Sequence, residues 1–318
     1  MSKRWEQQVL RGAAIRSRIQ QIDENEEPSI YHFRKERINQ AKNTITKIQT
    51  GCGTVTEDKT KIRGEITNYF QKLFLSQTRS FNSKDDFVTS MEGRAVFEDG
   101  MTKIVSEVEV KKVLDSKQKN KAPGIDGIPY EFYLTFWRLI KSEMTQMTNH
   151  VLNNGMITES QGTALIRLIP KHRKPKKITD YSPVSLLCTD YKIVAGVIAA
   201  RLQITLQNSI GHEQVGGVPG RNIVSNLTTI RDTIQLVSER GTHGGLISVD
   251  LSKAFDRVNR NLVWMIMKKM GYPTEFVKWC QTLYSRSEVK VINGKQVIDG
   301  FKSGSSICQG CPLSMHLF

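Results

Sequence analysis

Asp250 and Asp256 bound the stretch of this chain best suited to chemistry. The run Gly244-Gly-Leu-Ile-Ser-Val-Asp-Leu-Ser-Lys-Ala-Phe-Asp-Arg257 opens on a glycine pair and passes through an apolar segment, 246–249. That segment reads as a short strand that delivers the Asp250 carboxylate where it ends. An aromatic, Phe255, and the second acid, Asp256, follow. A carboxylate at the end of a buried strand suits Mg²⁺, a hard cation that takes oxygen ligands and shares them with substrate phosphates. The same pattern also describes a strand running into a helix-capping Asp. The surrounding chain has to decide between them.

Composition narrows the field. At 318 residues the chain exceeds the usual single-domain size, and 38% hydrophobic residues are enough for a core. Lys and Arg number 46 against 31 acids, a net charge of +15. Such an excess points to a polyanionic partner, nucleic acid ahead of an acidic membrane surface. Apolar runs such as 194–200 fall far short of the roughly 20 residues a spanning helix needs. The first residues lack the apolar core of a secretory signal, so an intracellular protein, cytoplasmic and nuclear, is expected. Five cysteines scattered along the chain give no disulfide framework. Cys308 and Cys311 have no second pair to complete a zinc site, and read as reduced thiols in a turn.

The elements that would position these residues can be read in order. Apolar residues spaced three and four apart predict helices over 14–22, 33–48 and 59–75, with breaks at 24–28 and at Gly51-Cys-Gly53. The third carries a stripe of Ile62, Ile66, Tyr69, Phe70, Leu73 and Phe74 that must pack on something larger. Residues 76–100 read as a linker. Ser106-Glu-Val-Glu109 is a capping box that opens a helix to about 117. In the basic loop 119–127, Pro123-Gly124 and Asp126-Gly127 demand turns. Helices over 129–153 follow, then a strand at 163–170.

Behind that strand lie Lys171, Arg173, Lys174, Lys176 and Lys177, with no acid before Asp180. A second strand returns over 183–187 and a helix follows over 191–206. The basic tip is either a phosphate-binding finger or a solvated loop or import patch. The glycine-rich stretch 214–221 exposes Arg221 ahead of a helix over 223–237. It is either a backbone phosphate cradle or a plain tight turn. Helices over 262–270 and 274–284 lead to a hairpin over 288–298, turning at Asn293-Gly294 with the residues a type I′ turn favours. The last residues form a loop entering an apolar helix.

In this order the motifs resemble a reverse transcriptase of non-LTR, LINE-type retrotransposons. They are Lys121-Ala-Pro-Gly-Ile-Asp-Gly127, Leu168-Ile-Pro-Lys171, Tyr181-Ser-Pro-Val-Ser-Leu-Leu187 with Tyr191-Lys-Ile, Gln214-Val-Gly with Pro219-Gly-Arg221, Val249-Asp-Leu-Ser-Lys-Ala-Phe-Asp-Arg257 and Gln309-Gly-Cys-Pro-Leu-Ser314. The resemblance implies an α+β polymerase right hand. Residues 1–100 would be a helical, basic N-terminal extension and linker, 101–240 the fingers, and 241–318 the first part of a palm.

The resemblance also implies roles. Asp250 would be the catalytic carboxylate that binds Mg²⁺ for two-metal nucleotidyl transfer, assisted by the Leu251 carbonyl. Phe255 would gate the sugar of the incoming dNTP, Lys171 would meet its triphosphate, and Gln309 and Gly310 would line the nascent base pair. Arg173, Lys174, Lys176, Lys177 and Arg221 would contact nucleic acid. The partners would be an RNA template, a DNA primer and dNTP. Three positions depart from the family pattern: Ser182 and Cys308 stand where arginine is usual, and Gly217 where phenylalanine is usual. A Tyr-x-Asp-Asp hairpin, which supplies the family's remaining metal-binding carboxylates, is not in the sequence. The one Asp-Asp pair is Asp85-Asp86. These 318 residues are therefore expected to be a polymerase fragment inactive alone, its palm sheet missing a partner hairpin and exposing an apolar edge. The other reading is a non-enzymatic remnant that binds nucleic acid through its basic loop.

Overall fold

The computed structural model describes residues 44–75, 88–90, 100–294 and 296–318. The expected helices over 14–22 and most of 33–48, the break at 24–28, most of the 76–100 linker and Asp85-Asp86 lie outside them. The chain forms two compact units interleaved along the sequence. One contains the residues up to Phe70 with Ile166–Val184 and Val291–Asp299; the other contains Gln71–Leu165, Ser185–Lys290 and Gly300–Phe318. Helices and sheet are mixed throughout, so the fold is α+β.

Strands β1 (Ile48–Gln49) and β2 (Val55–Thr56) pair antiparallel, with Ile48 opposite Thr56. Residues 44–49 thus end in a strand and not in the expected helix, and Gly51-Cys-Gly53 turns a hairpin. Helix α1 (Lys59–Phe74) starts where the Asp58 carboxylate accepts the N–H groups of Thr60 (2.7 Å) and Lys61 (3.0 Å). Those bonds satisfy two donors that a helix start leaves orphaned. Of its apolar stripe, Ile62, Ile66, Phe70 and Phe74 are buried. A four-stranded sheet has the order β4-β3-β5-β6, with β3 at Thr163–Pro170, β4 at Tyr181–Leu186, β5 at Glu288–Asn293 and β6 at Gln296–Lys302.

The β5–β6 turn departs from expectation. Gly294 has φ +63°, but Asn293 stays in the strand and is not left-handed, so these two are not the paired centre of a type I′ turn. Asn293 instead spends its amide on the chain at Ile45, accepting from Ile45 N (2.7 Å) and donating to Ile45 O (3.1 Å).

The second unit is built on helix α6 (Thr189–Ser209). Its continuous apolar run, 193–199, buries it on all sides, the pattern of a central helix. Helix α2 (Glu107–Asp115), opened by the expected Ser106–Glu109 capping box, packs against it. A Cβ at Gly196 would lie 2.5 Å from Val113 Cγ1, so only glycine allows that approach. Arg201 locks the pair: Nε donates to Glu109 Oε1 (2.9 Å) and Nη1 to the carbonyls of Met101 (3.0 Å) and Lys103 (2.7 Å). Around them lie α3 (Tyr130–Thr135), α4 (Trp137–Asn154), α5 (Glu159–Gly162), α8 (Arg260–Lys269), α9 (Thr274–Leu283) and α10 (Ser314–Leu317). Helix α7 (Ile223–Glu239) buries no residue at all. Among the described residues, no helix is long and apolar enough to cross a membrane.

Candidate active site

The stretch that carries Asp250 has no regular secondary structure and is exposed over 244–251, and is not the buried strand expected. Ile247 is 86% exposed and Val249 79%. An extended segment becomes a strand only when a neighbour supplies a ladder of hydrogen bonds, and no described strand does so here. Asp250 and Leu251 stand in the open, and among the described residues no hydrogen bond or ion pair holds the Asp250 carboxylate. The chain then turns sharply. Lys253 takes a left-handed φ of +56°, and its carbonyl accepts from Asp256 N (3.0 Å) and Arg257 N (3.2 Å). Asp256 is buried; burial pushes its carboxyl above the ordinary aspartate value, and the nearby Lys253 ammonium draws it back in part.

Two backbone bonds join this turn to the second motif. Ile307 N donates to Phe255 O (3.0 Å) and Ser306 N to Val258 O (3.0 Å). Arg260 secures the same crossing, its guanidinium donating to the carbonyls of Ser306 (2.7 Å), Ser305 (2.9 Å) and Ser303 (3.2 Å). The ring of Phe255 stacks on Phe318 with centroids 4.7 Å apart. Gln309 is half-buried, and Gly310 has φ +103° with Ser185 O only 2.8 Å from where a Cβ would sit. Cys308, at the position where arginine is usual, has its thiol pushed up to about 11, chiefly by burial. Its carbonyl accepts from Ser314 Oγ (2.8 Å). Cys311 receives the Tyr191 hydroxyl at 3.5 Å, so these cysteines are packed thiols, as expected.

The basic loop belongs to the first unit. Lys171, Arg173, Lys174, Lys176 and Lys177 are all exposed. Asp180 organises them: its carboxylate accepts from Lys176 N (2.8 Å) and Lys177 N (2.9 Å) and sits 3.7 Å from His172 Nε2. Those two backbone donors hold the Asp180 carboxyl below its ordinary value. Lys171 closes the loop through its N–H to Asp180 O (2.8 Å), with Nζ on Thr179 O (3.0 Å). Lys176 O accepts from Gln49 N (2.8 Å), which ties the loop to the β1–β2 hairpin.

Arg221 is not the exposed cation expected. It is half-buried, and its two terminal nitrogens donate to the carbonyls of Gly211, Gln214 (2.8 Å), Gln207 (3.0 Å) and Ile210 (2.8 Å). Helix α6 ends there, and a helix end leaves orphan carbonyls that a guanidinium fork can satisfy. Gly217 has φ +77° and lies against Met315.

Sequence reading missed three organising groups: Arg260, Arg201 and the Asp180 carboxylate. The partners of the two arginines are largely backbone carbonyls, which carry no residue code, so only the fold could reveal them. Asp180 did carry a signal, as the lone acid closing a run of cations. One further cluster, Asp126, Cys188 and Asp190, brings donor atoms within 4.8 Å of one another. It works as a joint. Cys188 donates its thiol to Ser160 O (3.2 Å), and Asp190 accepts from Gln161 Nε2 (2.8 Å) and Tyr191 N (2.7 Å).

Residues 169–318 match the family described as reverse transcriptase (RNA-dependent DNA polymerase). These residues belong to the reverse transcriptase family. Over 319 aligned residues the chain is 30% identical to a Xenopus laevis protein named Transposon TX1 uncharacterized 149 kDa protein, which covers 99% of this chain and 24% of that protein. It is 23% identical over 199 residues to a Drosophila melanogaster retrovirus-related Pol polyprotein from type-2 retrotransposable element R2DM, covering 63% of this chain and 18% of that one. The chain thus spans about a quarter or less of the length of these relatives. Together they support a reverse transcriptase of a LINE-type element. The reverse transcriptase match takes in Lys171, Asp250, Phe255, Gln309 and Gly310, while the 121–127 loop lies before it.

Proposed function

We propose that this chain is part of an RNA-directed DNA polymerase of a non-LTR retrotransposon, adding dNTP to a primer 3′-OH on an RNA template. The observation that carries this reading is the crossing at Phe255 and Ile307, which ties the two reverse transcriptase motifs together and leaves Asp250 exposed, with no partner among the described residues. On this reading residues 101–240 are fingers and 241–318 the first part of the palm.

An exposed carboxylate beside the exposed Leu251 fits Mg²⁺, although it is only part of a donor set. Asp250 belongs to no group of three close ligands among the described residues. Bound Mg²⁺ would neutralise charge on the transferring phosphoryl group. Phe255, fixed by its backbone bond to Ile307, excludes a 2′-OH from the sugar position. Gln309 and Gly310 border the base pair. Lys171 and the exposed cations at 173–177 hold phosphates by charge. One carboxylate holds two divalent cations poorly against their mutual repulsion, so these 318 residues by themselves do not extend a primer.

The test is extension of a primed RNA template with dNTP and Mg²⁺, comparing these 318 residues with a longer product of the same gene. Extension by the longer protein alone supports the reading. No extension by either favours the second reading, a nucleic-acid-binding remnant, for which the specific observation is Ser182 and Cys308 at two positions usually held by arginine.

A further inference from the structure

The second unit contains a cavity of about 770 Å³ that the catalytic reading does not use. It lies beside β6 and is lined by Glu159, Arg260, Arg286, Glu288, Phe301 and Lys302, with serines and two glycines between them. Its walls approach two glycines closely, and at Gly162 the neighbour is fixed backbone. A Cβ at Gly162 would sit 2.3 Å from Arg286 O, and one at Gly300 would sit 2.2 Å from Glu288 Oε1. Small-ligand sites run from roughly 300 to 1,000 Å³, so there is room for a nucleotide and the phosphate that follows it.

The charges in this cavity sort into spent and unspent. Arg260 is committed to the carbonyls of 303–306 and lies 5.2 Å over the Tyr284 ring. Glu288 is paired with Lys290 at 3.6 Å. The hydroxyls of Ser285 and Ser287 are donated to the carbonyls of Thr282 (2.7 Å) and Tyr284 (2.9 Å). Arg286 and Lys302 are exposed, and among the described residues neither side chain has a hydrogen-bond or ion-pair partner. The same cavity is lined by an aromatic, Phe301, which stacks on Phe74 at 6.2 Å and is half-buried. Of the two acids that line the cavity, exposed Glu159 has no ion pair among the described residues.

Two free cations beside an aromatic ring are the elements of a single-strand platform: phosphates are held by charge, and a base packs on the ring without regard to sequence. We infer that this cavity holds a single-stranded stretch of nucleic acid, with backbone phosphates at Arg286 and Lys302 and a base at Phe301. None of the cavity's residues belongs to the basic loop at 171–177. The inference rests on the polymerase reading only for the identity of the polyanion.

The test is photocrosslinking of the full 318-residue chain to a short RNA carrying 5-iodouridine, with tryptic mapping. Cleavage at Lys295 and Lys302 releases residues 296–302 as one peptide. A crosslink at Phe301 is expected. Arg286→Glu with Lys302→Glu should abolish it and weaken RNA binding about tenfold or more, whereas Arg286→Lys should retain it. Glu159→Gln should tighten binding about twofold. Circular dichroism confirms that each variant is folded. Crosslinks confined to 171–177, a double variant that binds like the parent, or equal competition by a free mononucleotide would each overturn the inference. A retained crosslink without primer extension in any longer protein would count against the polymerase reading alone.

Discussion

Ile307 donates its backbone N–H to the carbonyl of Phe255 at 3.0 Å, which joins two stretches of chain 52 residues apart. The bond fixes the aromatic of one motif against the loop that leads into the other. Gly310, three residues on, must keep its left-handed φ of +103° and its approach to Ser185 O for that loop to pass. Gly310→Ala should therefore destabilise the protein by about 1–3 kcal/mol, the usual cost of a strained backbone conformation. Thermal unfolding followed by circular dichroism measures it, and a melting temperature equal to the parent's would show that the loop has room to relax.

The Arg201–Glu109 pair should show in the pH dependence of stability. Burial pushes the Glu109 carboxyl up, but the Arg201 guanidinium and the Ser106 N–H together hold it below the ordinary glutamate value. A carboxylate lowered on folding contributes stability above its unfolded value, and that contribution is lost as pH falls through the folded one. Glu109→Gln should thus melt lower than the parent at neutral pH, with the gap closing below about pH 4. Arg201→Ala, which strands a half-buried acid and two carbonyls, should cost about 3 kcal/mol in denaturant unfolding.

The basic loop should bind nucleic acid mainly by charge. Removing one cation that neutralises a phosphate lowers the slope of log K against log salt by about 0.7 for a single strand. Lys174→Ala and Lys176→Ala should each reduce the slope by about that amount while leaving base preference unchanged. Asp180→Asn adds a net positive charge but loosens the turn at Lys176 and Lys177. Weaker binding by that variant would show that loop shape matters more than net charge.

Gly217 departs from the family pattern, yet the structure has adapted to it. At φ +77°, with Met315 Cγ only 3.2 Å from a Cβ position, Gly217→Phe should lower the melting temperature despite restoring the residue usual in the family. A variant as stable as the parent would indicate that this turn is free to move.

Much of the fold was legible because it follows local rules. The Ser106 capping box, the stripe on α1 and the continuous apolar run of α6 are each written in adjacent residues. The strands on either side of the basic loop could be read from their apolar content and from the loop between them, the second at 183–187 where the structure has 181–186. What stayed illegible depends on partners distant in sequence. The segment 246–249 has every residue preference of a strand, but strand character requires a neighbour, and none of the described strands pairs with it. Arg221 looked like an exposed cation because nothing in its own stretch reveals that the end of α6 and the loop after it turn the carbonyls of Gln207, Ile210, Gly211 and Gln214 toward it. Asn293 could likewise not announce its partner at Ile45, 248 positions away. For the candidate site, residue types and order are what propose Asp250 and Phe255, whereas Arg260, which holds the crossing together, could be found only from the fold.

Asp250 is the carboxylate proposed to organise transfer. The most direct measurement is primer extension on an RNA template by a protein that carries these residues together with a Tyr-x-Asp-Asp segment, parent against Asp250→Asn, with RNA binding measured alongside. The variant should bind the primed template normally while extension falls at least a thousandfold, about 4 kcal/mol of lost transition-state stabilisation. Extension by Asp250→Asn at the parent's rate would rule out that role.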